Sequence, residues 1–145
     1  MKLKLFLVII SASLLLPLTG LTSCSEASRQ ISIGVPYEEL STRKNVNLEV
    51  DILVIDTLKV TLCSNSSTGF QWPEQAQIDD QSILQQTDHE IIAPEEDSPP
   101  GTPGTEYWIF RPRKKGTAVI SMEYSQPWEG GTKAEWTFQL TVNVE

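Results

Sequence analysis

Cysteine, histidine and positive charge are the scarce materials of this chain. Its 145 residues include two cysteines, Cys24 and Cys63, and a single histidine, His89. If Cys24 is engaged elsewhere, Cys63 has no partner and an exported fold must stand without a disulfide. A nucleophilic pair would have to be Cys63 with His89. Cys63 lies in a β-rich run with no neighbouring cation to lower its pKa, so it reads as a core thiol at a strand end. Metal-ligand spacing, paired carboxylates in a pocket and a recognisable triad are all lacking, so no enzyme activity, metal or cofactor is expected. Basic residues number 11 against 19 acidic ones, a net charge of −8, which argues against nucleic acid or anionic lipid as an electrostatic partner. The basic run Arg111-Pro112-Arg113-Lys114-Lys115-Gly116 reads as a solvated hairpin tip. No amphipathic helix, internal repeat or low-complexity tract stands out, and the length suits one domain plus a short extra segment.

That extra segment is N-terminal. Lys2 and Lys4 precede a mostly apolar run from Leu5 to Leu21, the pattern of a targeting signal. The run is short for a membrane span and is broken by Pro17 and Gly20. Leu21-Thr22-Ser23-Cys24 matches the bacterial lipobox, so residues 1–23 read as a lipoprotein signal peptide and Cys24 as the lipidated mature N-terminus; ordinary cleavage near Ala27 is the rival. The protein is then expected to be exported and lipid-anchored to the bacterial cell envelope, on the periplasmic or surface side. Residues 24–43, beginning small and polar, read as a tether, and 44–145 as the folded domain.

What the chain has in quantity is alternation. Leu48, Val50 and Ile52 share one face of a strand opposite Glu49 and Asp51, and Leu58, Val60 and Leu62 repeat the pattern. Tyr107 to Phe110 is a compact aromatic strand. Ala118, Ile120, Met122 and Tyr124 alternate up to a turn, and Trp136, Phe138, Leu140, Val142 and Val144 form the cleanest inward face. Trp72, Trp108 and Trp136 read as core. Between residues 73 and 98 two strands are expected, joined near Thr87 to His89. About seven short strands separated by Gly/Pro turns point to an all-β, immunoglobulin-like antiparallel β-sandwich.

Three turns stand out. Asn65-Ser66-Ser67-Thr68-Gly69-Phe70-Gln71-Trp72 begins with side chains that fold back on backbone amides, reaches a glycine suited to positive φ, and ends in alternating aromatics. Gly101-Thr102-Pro103-Gly104 follows an exposed acidic, proline-rich stretch. Gln126-Pro127-Trp128-Glu129 leads into Gly130-Gly131, a turn that leaves Trp128 outside the core. Turns separated by a pair of strands share an end of a sandwich, so all three are expected at one pole.

In order and spacing, the three segments resemble the inhibitory loops of the chagasin family, protein inhibitors of papain-like cysteine proteases. The family's motifs run roughly NPTTGF-x-W, G-x-x-G and RPW; here they stand as NSSTGFQW, GTPG and QPWE, with Ser66 in place of the family's proline and Gln126 in place of its arginine. The resemblance implies a monomeric, reversible, non-covalent inhibitor. Thr68 and Gly69, with Ser67, would approach the catalytic pair, Asn65, Ser66 and Phe70 would complete the protease-binding residues of that loop, and Gly101, Thr102, Pro103 and Gly104 would line the groove. Gln126, Pro127 and Trp128 would brace the histidine side. A surface-anchored immunoglobulin-like binding or adhesion module is the alternative, since it too explains sandwich and anchor.

Overall fold

Alternating apolar residues bring two sheets face to face. The computed structural model describes residues 27–145; the signal segment and Cys24 lie outside the described residues. In chain order the elements are β1 (Gln30–Val35), α1 (Tyr37–Arg43), β2 (Asn45–Ile52), β3 (Thr57–Ser64), β4 (Gln77–Ile78), β5 (Leu84–Ile92), β6 (Gly104–Pro112), β7 (Gly116–Tyr124) and β8 (Trp136–Val144). One sheet has the order β1-β3-β6-β5 and the other β2-β8-β7-β4. Leu58, Val60, Leu62, Trp108 and Phe110 from the first meet Ala118, Ile120, Met122, Phe138, Leu140 and Val142 from the second in one core. Truncating one of its leucines to alanine would cost about 2–5 kcal/mol.

The structure departs from the sequence expectation in three places. First, residues 30–43, expected as part of a tether, are folded, with β1 paired to β3 and Val35 and Leu40 buried in the core. The short helix α1 has Glu38 and Glu39 in its first turn and Arg43 in its last, charges that complement the helix dipole. Second, the sandwich is antiparallel in its middle and parallel at two edges, where β1 runs with β3 and β2 with β8. A hairpin would have kept β1 and β2 in one sheet; α1 carries the chain across to the other instead.

Third, the strand break expected near Thr87 to His89 is a bulge. β5 continues through it, with a register shift against β6 between Gln86 and Asp88, and the real connection precedes Leu84. The irregular stretch before β4 is held by side chains. Trp72 Nε1 donates to the Cys63 carbonyl at 2.9 Å, and Trp108 Nε1 reaches the carbonyls of Pro73 and Glu74, each at 3.2 Å. Gln86 adds two bonds, donating to the Glu74 carbonyl and accepting from Ala76 N–H. Buried indoles thus need and find acceptors in a segment that forms little ladder of its own.

At the end away from the three turns, Asp56 is buried and accepts from Arg29 Nη2 at 3.0 Å and from Leu53 N–H at 2.9 Å. The side-chain bond from Arg29, and then the Leu53 amide, hold the Asp56 carboxyl below its ordinary value. This clamp fixes where the chain enters the domain.

Candidate functional site: three loops at one pole

The first loop is a 3-10 turn over Ser66–Thr68, built as its residue types suggest. Asn65 Oδ1 accepts from Ser67 N–H at 3.2 Å and from its hydroxyl at 2.6 Å, while Thr68 Oγ1 donates to the Asn65 carbonyl at 2.7 Å. Gly69 closes the turn at φ 76, a conformation that costs glycine little. Beyond it the chain makes one bridge, Gln71 to Ser125, not a strand. Phe70 and Trp72 flank Tyr124, with ring centroids 5.6 and 5.0 Å away.

The second loop turns at Pro99–Thr102, where Thr102 donates through N–H and hydroxyl to the Pro99 carbonyl at 3.1 and 2.7 Å. Gly101 sits at φ 86 with open space where a Cβ would go. Gly104 has a different reason for being glycine: a Cβ there would stand 2.3 Å from the Ile92 carbonyl oxygen. It opens β6 and serves the sheet rather than an external surface. Pro103 lines a shallow apolar cleft with Val35, Tyr37, Leu62 and Cys63. Burial, and secondarily the charge of Glu38, push the Cys63 thiol up, so it stays protonated.

In the third loop Gln126 faces inward. Its Oε1 accepts from Thr132 N–H at 2.9 Å, and its own N–H donates to the Thr132 carbonyl at 2.8 Å. Lys133 Nζ closes the loop by donating to the Gln126 carbonyl and, at 3.1 Å, to that of Trp128. Pro127 is exposed, and Trp128 is 50% exposed. The indole lies across two glycines: a Cβ on Gly69 would be 2.6 Å from its Cη2, and one on Gly131 would be 3.0 Å from its Nε1. The ring is thus seated on the two glycines while the residue stays half open to solvent.

These contacts join the loops. Trp128 rests on Gly69, and Asn65 Nδ2 donates to the Gly101 carbonyl at 3.1 Å. Beneath them the Tyr124 hydroxyl accepts from Asn65 N–H at 2.8 Å and donates to the Asn65 carbonyl at 3.2 Å. Tyr124 also stacks on Trp136 at 4.8 Å, which Tyr37 meets edge-on at 5.8 Å. At the loop roots Ser64 donates to Glu106 Oε1 at 2.5 Å, and Glu106 Oε2 lies 3.1 Å from His89 Nε2. His89 therefore answers to a buried carboxylate and to the Trp108 ring. All thirteen loop residues singled out in the sequence lie at this end, with Gly104 and Gln126 turned to internal work. In the sequence Tyr124 reads only as a strand residue and Gly131 only as a turn residue, and nothing marks Lys133; their partners lie in other turns or several residues on, so no local pattern announces these contacts.

Among known proteins, the family described as "Chagasin family peptidase inhibitor I42" matches residues 51–142. Amoebiasin-2 from Entamoeba histolytica is 34% identical over 91 residues, which is 62% of this chain and 72% of that protein. The crystal structure of the cysteine protease inhibitor EhICP2 from Entamoeba histolytica superposes with a TM-score of 0.62 at 22% identity, covering 81% of this chain and 97% of that one. PbICP-C, solved in complex with falcipain-2, gives a TM-score of 0.54 at 12% identity, over 81% of this chain and 98% of its own. At those identities the two structures show a shared fold.

Proposed function

Since the chain belongs to the chagasin family of peptidase inhibitors, as the match over residues 51–142 shows, we propose that it inhibits papain-like cysteine proteases reversibly and without a covalent bond. The observation that carries this reading is the bonding of three separate turns into one blunt end, Asn65 to Gly101 and Gly69 to Trp128. A papain-like protease cleaves extended chain lying in a groove centred on a cysteine and a histidine. A 3-10 turn closed by a left-handed glycine fills such a groove without offering an aligned scissile bond.

Ser67, Thr68 and Gly69 approach the catalytic pair, Gly101 to Pro103 run along the groove, and Pro127 with Trp128 pack on the histidine side. Three such loops suit a standard protease-inhibitor contact, roughly 800 Å² on each partner. Prolines and the internal bonds of each turn reduce the freedom lost on binding. Ser66 lacks the stiffness of the family's proline, and the Asn65 bonds supply part of it. Gln126 brings no charge to the target, but its side chain holds the turn that presents Trp128.

The partner is then a papain-like protease, met by a monomer that is exported and anchored through lipid on Cys24. Leu21-Thr22-Ser23-Cys24 supports that anchor. Because the chain enters the domain at Arg29, at the end opposite the loops, lipid on Cys24 holds the loops away from the bilayer. Titration against papain, with a serine protease as control, tests the function. Inhibition of papain alone is expected, with marked loss in the Trp128→Ala, Thr68→Asp double variant; undiminished inhibition by that variant would remove the site assignment.

A further inference from the structure

Large hydrophobic side chains are exposed at five described positions: Tyr37, Ile55, Ile91, Ile92 and Trp128. Four of them sit at the loop-bearing end, and only Ile55, between β2 and β3, is at the other. Ile91 and Ile92 are 63% and 45% exposed. They end β5, the outermost strand of its sheet, in register with Glu106 and Thr105 of β6, and so stand level with the roots of the first and second loops. The cleft between strand end and loops is lined by Ser66, Ser67, Ile91, Ile92, Pro94 and Gly101.

Consecutive isoleucines on an open sheet edge are a liability in the free protein, because they expose apolar area beside unpaired backbone groups. The rest of the exposed strand avoids it: from Gln85 to Glu90 the residues are Gln, Gln, Thr, Asp, His and Glu. Leu84, which opens β5, is buried, so exposed apolar character begins only where β5 reaches the loops. Directly after it, Glu95, Glu96 and Asp97 are exposed, giving the apolar pair the charged border that protein contacts carry around a drier centre.

We infer that Ile91 and Ile92 form a fourth contact with the protease, an inference that rests on the inhibitory reading above. While the three loops enter the active-site groove, the end of β5 lies outside it, against apolar surface on the enzyme's rim beside the second loop. The occupant is the same protease, since the isoleucines border the cleft formed by the first two loops. Their contribution is to residence time, because apolar burial at a formed interface acts chiefly on dissociation.

The test compares the inhibition constant and dissociation rate against papain for the native protein, the Ile91→Thr, Ile92→Thr double variant, Ile55→Thr and Trp128→Ala. Threonine keeps the β-branch that suits a strand, and thermal midpoints report the fold. The double variant is expected to inhibit about tenfold more weakly, through faster dissociation, with Ile55→Thr native-like. Should the double variant fail to fold, Ile91→Lys at the more exposed position is read in the same way. Native-like inhibition by the β5 variant, or equal weakening by Ile55→Thr, overturns the fourth contact while leaving the three-loop reading intact if Trp128→Ala still loses inhibition. A native protein that inhibits no papain-like protease removes both.

Discussion

Gly69 is where the demands of turn and interface meet in a single residue. Its φ of 76 closes the 3-10 turn, and its missing side chain gives the Trp128 ring a seat. Gly69→Ala therefore acts twice. The left-handed backbone costs about 1–2 kcal/mol for a residue with a Cβ, and the new methyl displaces the indole. The expected result is a modest fall in thermal midpoint with a disproportionate loss of inhibition, larger than Gly101→Ala gives, since a Cβ at Gly101 meets nothing within 4 Å. Paired melting and inhibition assays check this. The glycine and the aromatics were visible in the sequence as turn and anchor. That Trp128 would rest on Gly69 was not, because the contact spans most of two sheets in chain distance and depends on both turns reaching the same end.

Among the elements, the clamp between β1 and β3 carries the clearest dependence on pH. Arg29 and the Leu53 amide favour the ionised form of Asp56 in the fold, so its carboxyl titrates lower folded than unfolded. Its stabilising effect is present above the unfolded value of about 4 and is lost as pH falls through the folded value. Asp56→Asn should melt lower than the native protein at neutral pH and show a shallower decline in midpoint as pH falls below about 4; a parallel decline would mean that other carboxylates govern the acid limb. The elements that sequence made legible are β2, β3, β7 and β8, with clean alternation, and β6, with its compact aromatic run. β1 carries the same alternation in Ile31, Ile33 and Val35, but it is short and set in a polar run. β5 is an edge strand whose exposed face and bulge leave it almost without apolar period. Parallel pairing at the edges depends on α1 crossing between sheets, and nothing local announces it.

On the scale of the whole molecule, the arrangement is polar in the geometric sense, with entry of the chain at one end and the bonded loops at the other. That division suits the lipid anchor proposed on Cys24, which would leave the loops facing away from the membrane. Cys24→Ser should abolish incorporation of labelled fatty acid and release the protein from membranes, while leaving inhibition in solution unchanged; retained label in the variant would count against lipid on Cys24. The order of the three motifs was legible from the start, and their convergence followed from counting strands between them. The Tyr124 strut and the Lys133 closure, which keep the assembled end rigid, emerged only with the fold.

The central claim is that this end plugs the groove by shape, with no bond to the enzyme's sulfur. Calorimetric titration of the protein into papain whose catalytic cysteine is capped as a methyl disulfide tests it most directly. One-to-one binding should persist, and the Trp128→Ala, Thr68→Asp double variant should bind far more weakly. Disappearance of binding once the thiol is capped, or equal binding by the double variant, would contradict it.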